Sequence, residues 1–106
     1  MRPSNMTPIT KKSSYKIEIW NCEKEHRFVN MILTFCSEYG CNDYEFRYDS
    51  KFEIIELCGN DFKYHTAYKN PRFKLLAECL YMSQTKLIEK LKIKAQIELS
   101  YEILPF

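Results

Sequence analysis

Hydrophobic periodicity switches between two residues and about 3.6 residues along this chain, and that switching constrains the fold more than any other feature. Tyr15, Ile17 and Ile19 alternate with Lys16, Glu18 and Trp20, which predicts a half-buried strand with the first three side chains facing inward. Asn21 then reads as a helix cap, with Glu23 and Glu25 in a first turn whose dipole favours anions. Phe28, Val29, Ile32, Phe35, Cys36 and Tyr39 share one helical face and Gly40 follows as a stop signal, so the spacing predicts a helix over 22–39. Alternation returns at Tyr44 to Tyr48 and at Phe52 to Leu57, separated by an Asp49-Ser50 turn, which predicts a hairpin. Gly59-Asn60 is a second turn signal, and 61–68 is a less regular third strand of a meander.

Asn70-Pro71 pairs a capping residue with proline at the first helical position, and a second helix is predicted over 71–92. Its stripe of Phe73, Leu76, Ala77, Leu80, Leu87, Ile88 and Leu91 is interrupted by Gln84, which predicts a bend or break near Ser83. Ile97, Leu99, Tyr101 and Ile103 alternate with polar residues and predict a last strand. The expected architecture is α+β, an antiparallel sheet of four to five strands with two helices on one face. The expected order is β-α-β-β-(β)-α-β. Without the bracketed strand this is the ferredoxin-like order. With it, the central α-β-β-β-α is the order of double-stranded-RNA-binding domains. Either comparison concerns architecture and does not deliver function.

The 106 residues suffice for one domain, predicted over 14–106. The Ser/Thr/Pro/Lys-rich start reads as a flexible arm over 1–13 without an apolar signal-peptide core. No run approaches the ~20 apolar residues that span a bilayer, so no membrane association is expected. Gly40 and Gly59 are the only glycines, which excludes glycine-rich phosphate loops. Five cysteines (Cys22, Cys36, Cys41, Cys58 and Cys79) cannot all pair, and several sit among apolar neighbours, so free thiols in a reducing, cytoplasmic compartment are expected. Lysine is far commoner than arginine, and Ile, Tyr and Asn are frequent, as in the AT-rich genomes of many phages and mobile elements.

Complete catalytic or metal sets are missing from the sequence. Cys22 and His26 are spaced i, i+4, but zinc requires three or four such ligands. Cys58, Asp61 and His65 suggest a nucleophile and its base, with Cys58 and His65 facing each other across the meander. No nucleophile motif or oxyanion donor accompanies them. Neither catalytic residues, a metal nor a cofactor is therefore expected.

Two surface features remain. Charge is segregated: residues 18–61 hold four Lys/Arg against ten Asp/Glu, and residues 62–94 hold eight against two. Lys63, Lys69, Arg72 and Lys74 cluster at the start of the second predicted helix, with Lys86 and Lys90 further along it. Such an array suits nucleic-acid phosphates, and an ordinary solvated lysine face is the more common arrangement. The second feature is an extra apolar stripe, Leu75, Cys79 and Met82, rotated about 100–120° from the main one. It requires cover from the first helix, the arm or another chain. Trp20, on the polar side of the first strand, is a matching hot-spot candidate. The expectation is a non-enzymatic binding protein that regulates or inhibits a macromolecular partner through Leu75, Cys79, Met82 and Trp20, with homodimerisation as a variant. Nucleic-acid binding through the basic residues is the alternative.

Overall fold

The structure, a computed structural model, describes residues 14–22 and 27–103. The arm expected over 1–13 and the histidine of the Cys22/His26 pair lie outside them. Five strands come first: β1 (Ser14–Cys22), β2 (Phe28–Ser37), β3 (Gly40–Asp49), β4 (Ile54–Cys58) and β5 (Tyr64–Thr66). A 3₁₀ turn (Ala67–Lys69) leads into α1 (Pro71–Cys79), and α2 (Gln84–Ile103) follows. Each strand pairs antiparallel with the next, so the sheet is a plain meander in chain order. The α+β class with a five-stranded antiparallel sheet stands. The order β-α-β-β-(β)-α-β does not, because all five strands precede both helices.

The helix expected over 22–39 is strand β2. Its inward residues, Val29, Met31, Leu33 and Phe35, are all buried, while Asn30, Ile32 and Thr34 between them are partly exposed. The run is rich in β-branched and aromatic residues, which suit a pleated surface. Apolar side chains at Phe28 and Ile32 on the opposite face are what completed a spurious helical stripe. Gly40 is no helix stop: with φ +124° it leaves the two-residue turn Glu38–Tyr39 that joins β2 to β3. Cys36 and Cys41 face each other two positions from that turn and form a disulfide, against the expectation of free thiols throughout.

The strand expected at 97–103 is the last part of α2. Leu87, Leu91 and Ala95 are buried at i, i+4 spacing and Leu99 packs against the same core, so the helical stripe runs straight through the short alternating segment. The predicted helix break is present. The chain leaves α1 at Leu80, passes Tyr81 with φ 58°, and restarts when the Ser83 hydroxyl accepts a hydrogen bond from the Lys86 amide at 3.1 Å. At the other end of α1, the Asn70 side chain accepts from the Arg72 amide at 2.9 Å and Pro71 opens the helix, as its sequence signals.

One apolar layer joins sheet and helices. Val29, Met31, Leu33, Phe46, Leu57, Phe73, Leu87, Leu91 and Ala95 are wholly buried in it, and Tyr15, Ile17 and Ile19 pack against it from β1 as expected. Each such large side chain contributes roughly 1.5–3 kcal/mol of transfer free energy. Phe73 of α1 meets Phe46 of β3 edge to face at 6.1 Å, which seats α1 over the middle of the sheet. Asp49, the one buried charged residue among those described, closes the β3–β4 turn. It accepts the Lys51 amide at 3.0 Å and pairs with Arg27 at 2.9 Å.

Candidate functional site

The β4–β5 turn and the entrance to α1 border a cleft of about 470 Å³. Asp61 organises the turn: Oδ1 accepts the Lys63 amide at 3.1 Å, and Oδ2 lies 2.9 Å from His65 Nε2. The His65 hydrogen bond, then that of the Lys63 amide, holds the Asp61 carboxyl below the usual carboxylate range. Lys69 and Arg72 line the same cleft from the helix side, beside the Asn70 cap. Part of the Arg72 guanidinium is already engaged, 4.7 Å from the Tyr44 ring centre.

The basic array is therefore divided. Lys69 and Arg72 share the cleft. Lys63 is exposed in the turn before it and Lys74 is exposed on α1. Lys86 and Lys90 belong to α2, and Lys90 lines a separate groove of about 310 Å³ with Tyr15, Ile17, Ile93, Lys94 and Ile97. No linear pattern announces that second groove, because the alternation around Ile97 reads as a strand and the placing of Ile97 beside β1 depends on α2 running on to Ile103.

The apolar stripe is shorter than expected. Leu75 is 60 % exposed and Cys79 is exposed on the same side of α1, while Phe73, Leu76 and Ala77 of that helix are sealed. Met82 does not extend the stripe. It lies in the break between the helices and packs against the core. Trp20 is 51 % exposed on the edge strand β1, at the bulge where the register shifts between Ile19 and Asn21. It is not gathered with Leu75, since α1 sits over β3, two strands away.

The sheet face opposite the helices carries a stack that no linear pattern announces. The Arg47 guanidinium lies 4.2 Å from the Phe28 ring centre and 4.4 Å from that of Tyr64, and pairs with Glu56 at 2.7 Å. Asn30 donates to the Tyr64 hydroxyl at 3.3 Å. Register is what assembles this stack, because Asn30, Arg47, Glu56 and Thr66 form one row across four strands. The neighbouring rows are Glu18, Ile32 and Glu45, then Lys16, Thr34 and Asp43, so the face is acidic on balance, and its two cations, Lys16 and Arg47, are each paired with a glutamate. Glu98 belongs to α2 and adds nothing to this face. The acidic rows make the face unsuited to a phosphate backbone.

The pairing of Cys58 as nucleophile with His65 as base is not formed. Tyr64 stands opposite Cys58, and His65 stands opposite Leu57, so Cys58 and His65 point to opposite sides of the sheet. Burial, with the Glu45 and Asp61 charges, pushes the Cys58 thiol up and keeps it protonated. Among the described residues no three His, Cys, Asp or Glu side chains converge as a metal site. Nor is any described helix long and apolar enough to cross a membrane. Compared with known proteins, the chain matches no family model, no curated protein and no solved structure.

Proposed function

We propose that this is a small non-enzymatic binding protein that regulates or inhibits a macromolecular partner through protein contact. The observation that carries the reading is the two-sided character of α1. Leu76 and Leu75 are one residue, about 100° of helix rotation, apart. The first is 1 % exposed against the sheet and the second is 60 % exposed with Cys79 beside it. Apolar side chains grouped on a helix face away from the core are typical of contact sites. The acidic sheet and basic helix layer add a field able to orient a charged partner as it approaches.

Affinity capture from the native host with nuclease present tests this. Leu75→Glu is expected to lose the captured protein while keeping the wild-type melting temperature. Retained capture by that variant, or its unfolding, refutes the assignment of this face.

A second reading, nucleic-acid binding, is favoured by one observation: Lys69, Arg72 and His65 converge on the cleft at the start of α1. It predicts an affinity that falls with salt by roughly 0.7–0.9 log units per log unit of salt for each phosphate contacted. It also predicts loss of binding in the Lys69→Ala, Arg72→Ala double variant. Absence of any shift of duplex RNA or DNA at low salt disposes of it.

A further inference from the structure

The long edge of the sheet has a self-complementary pattern. Among the described residues nothing pairs with the outer side of β1, a nine-residue strand, whereas β5 at the other edge has only three residues. The direction of its free peptide groups follows from the β2–β3 hairpin. Cys36 and Cys41 face each other with Cα atoms 4.1 Å apart, the spacing of a non-hydrogen-bonded pair, so the peptide groups of Cys36 point toward β1. Cys36 is opposite Ser14, and peptide direction alternates along a strand. Ser14, Lys16 and Glu18 therefore bond to β2. The N–H and C=O groups of Tyr15, Ile17 and Ile19 point outward.

We infer that this edge pairs with β1 of a second copy of the chain, antiparallel about a two-fold axis at Ile17, to give one continuous ten-stranded sheet. The two copies of Ile17 then exchange hydrogen bonds, and Tyr15 of each faces Ile19 of the other. Lys16 of each faces Glu18 of the other, at the closely spaced non-hydrogen-bonded positions where cross-strand pairs interact most. Moving the axis to Lys16 sets lysine against lysine, and moving it to Glu18 sets glutamate against glutamate. The charges thus select one register, and the interface is isologous and closed. Lys16 and Glu18 are exposed and lie 3.4 Å apart along the strand.

The groove beside β1 supplies apolar contact for the same partner. Tyr15 and Ile17 line it from the strand, and Ile93 and Ile97, 56 % and 47 % exposed, line it from α2. An axis perpendicular to the sheet brings the second copy's α2 to the same face, so these side chains are buried against their counterparts. The inference is independent of the partner proposed for α1, which uses another face.

Sedimentation of the full chain tests it. The wild type is expected to be a dimer that Leu75→Glu leaves unchanged. Lys16→Glu and Glu18→Lys each place like charges at two positions, and each is expected to weaken the dimer by about tenfold or more. Mixed together, those two variants make every charged pair complementary, and a heterodimer at least as tight as the wild type is expected. A full chain that stays monomeric at high micromolar concentration overturns the inference, whether residues 1–13 cap the edge or leave it bare. So do single variants that dimerise like the wild type, or variants that fail to associate when mixed while keeping the wild-type circular dichroism.

Discussion

Leu75 and Leu76 are neighbours in sequence with opposite surroundings, and the difference sets what each can do. Leu76 sits in the sealed layer with Phe73 and Ala77, so Leu76→Ala removes buried contacts and leaves a cavity, at a cost of about 2–5 kcal/mol. Leu75→Ala removes side-chain atoms that are mostly in water and is expected to change stability by less than about 0.5 kcal/mol. Urea titration of the two variants checks both figures. Equal losses would mean that Leu75 is sheltered within the monomer. Charged residues obey the same logic of surroundings. Arg47 is held between two rings and bound to Glu56, so its charge is already committed, whereas Lys16 and Glu18 stand exposed on the outermost of the described strands.

At the scale of elements, the β2–β3 hairpin organises the sheet. Its turn has two residues, its register runs from Ser37–Gly40 to Phe28–Asp49, and its disulfide closes a loop of six residues. Loop entropy for so short a closure gives roughly 2 kcal/mol. Cys36→Ser with Cys41→Ser is therefore expected to lower stability by about 2 kcal/mol or less without changing the far-ultraviolet circular dichroism. Collapse of the sheet in that variant would contradict it. This hairpin is also where sequence periodicity misled. Phe28 to Phe35 satisfies the inward alternation of a strand, but Phe28 and Ile32 on the other face also fit a helical stripe. Only pairing with β1 and β3 discriminates between them. At Asn70-Pro71 the reverse holds. A cap and a fixed φ act on the chain locally, and the helix start was legible before any packing was known.

At the scale of the molecule, the five described strands form a meander whose single apolar face would be bare without the helices that follow it. Leu87, Ile88, Leu91 and Ala95 of α2 are buried in the shared layer, together with the β2 side chains. A chain ending at Ser83 thus leaves much of that layer in water. Loss of cooperative melting and strong binding of an apolar dye are expected, and a truncated chain that still melts cooperatively would contradict the account. The segregation of charge read from the sequence takes a definite form at this scale. Glu18, Glu45 and Glu56 share the open sheet face, and Lys69, Arg72, Lys86 and Lys90 belong to the helical side and its entrance.

The sequence by itself determined the class of the fold, the first strand and its inward residues, the central hairpin, the start of α1 and the break near Ser83. Each rests on interactions within a few residues: alternation, a turn, a cap, a proline. Only the tertiary structure decided that 28–37 is a strand, that 97–103 continues a helix, that Met82 is sheltered while Leu75 is not, and that Cys58 and His65 stand on opposite sides of the sheet. Those outcomes depend on which neighbour each segment packs against and in what register, and a short apolar run carries no record of its future neighbour.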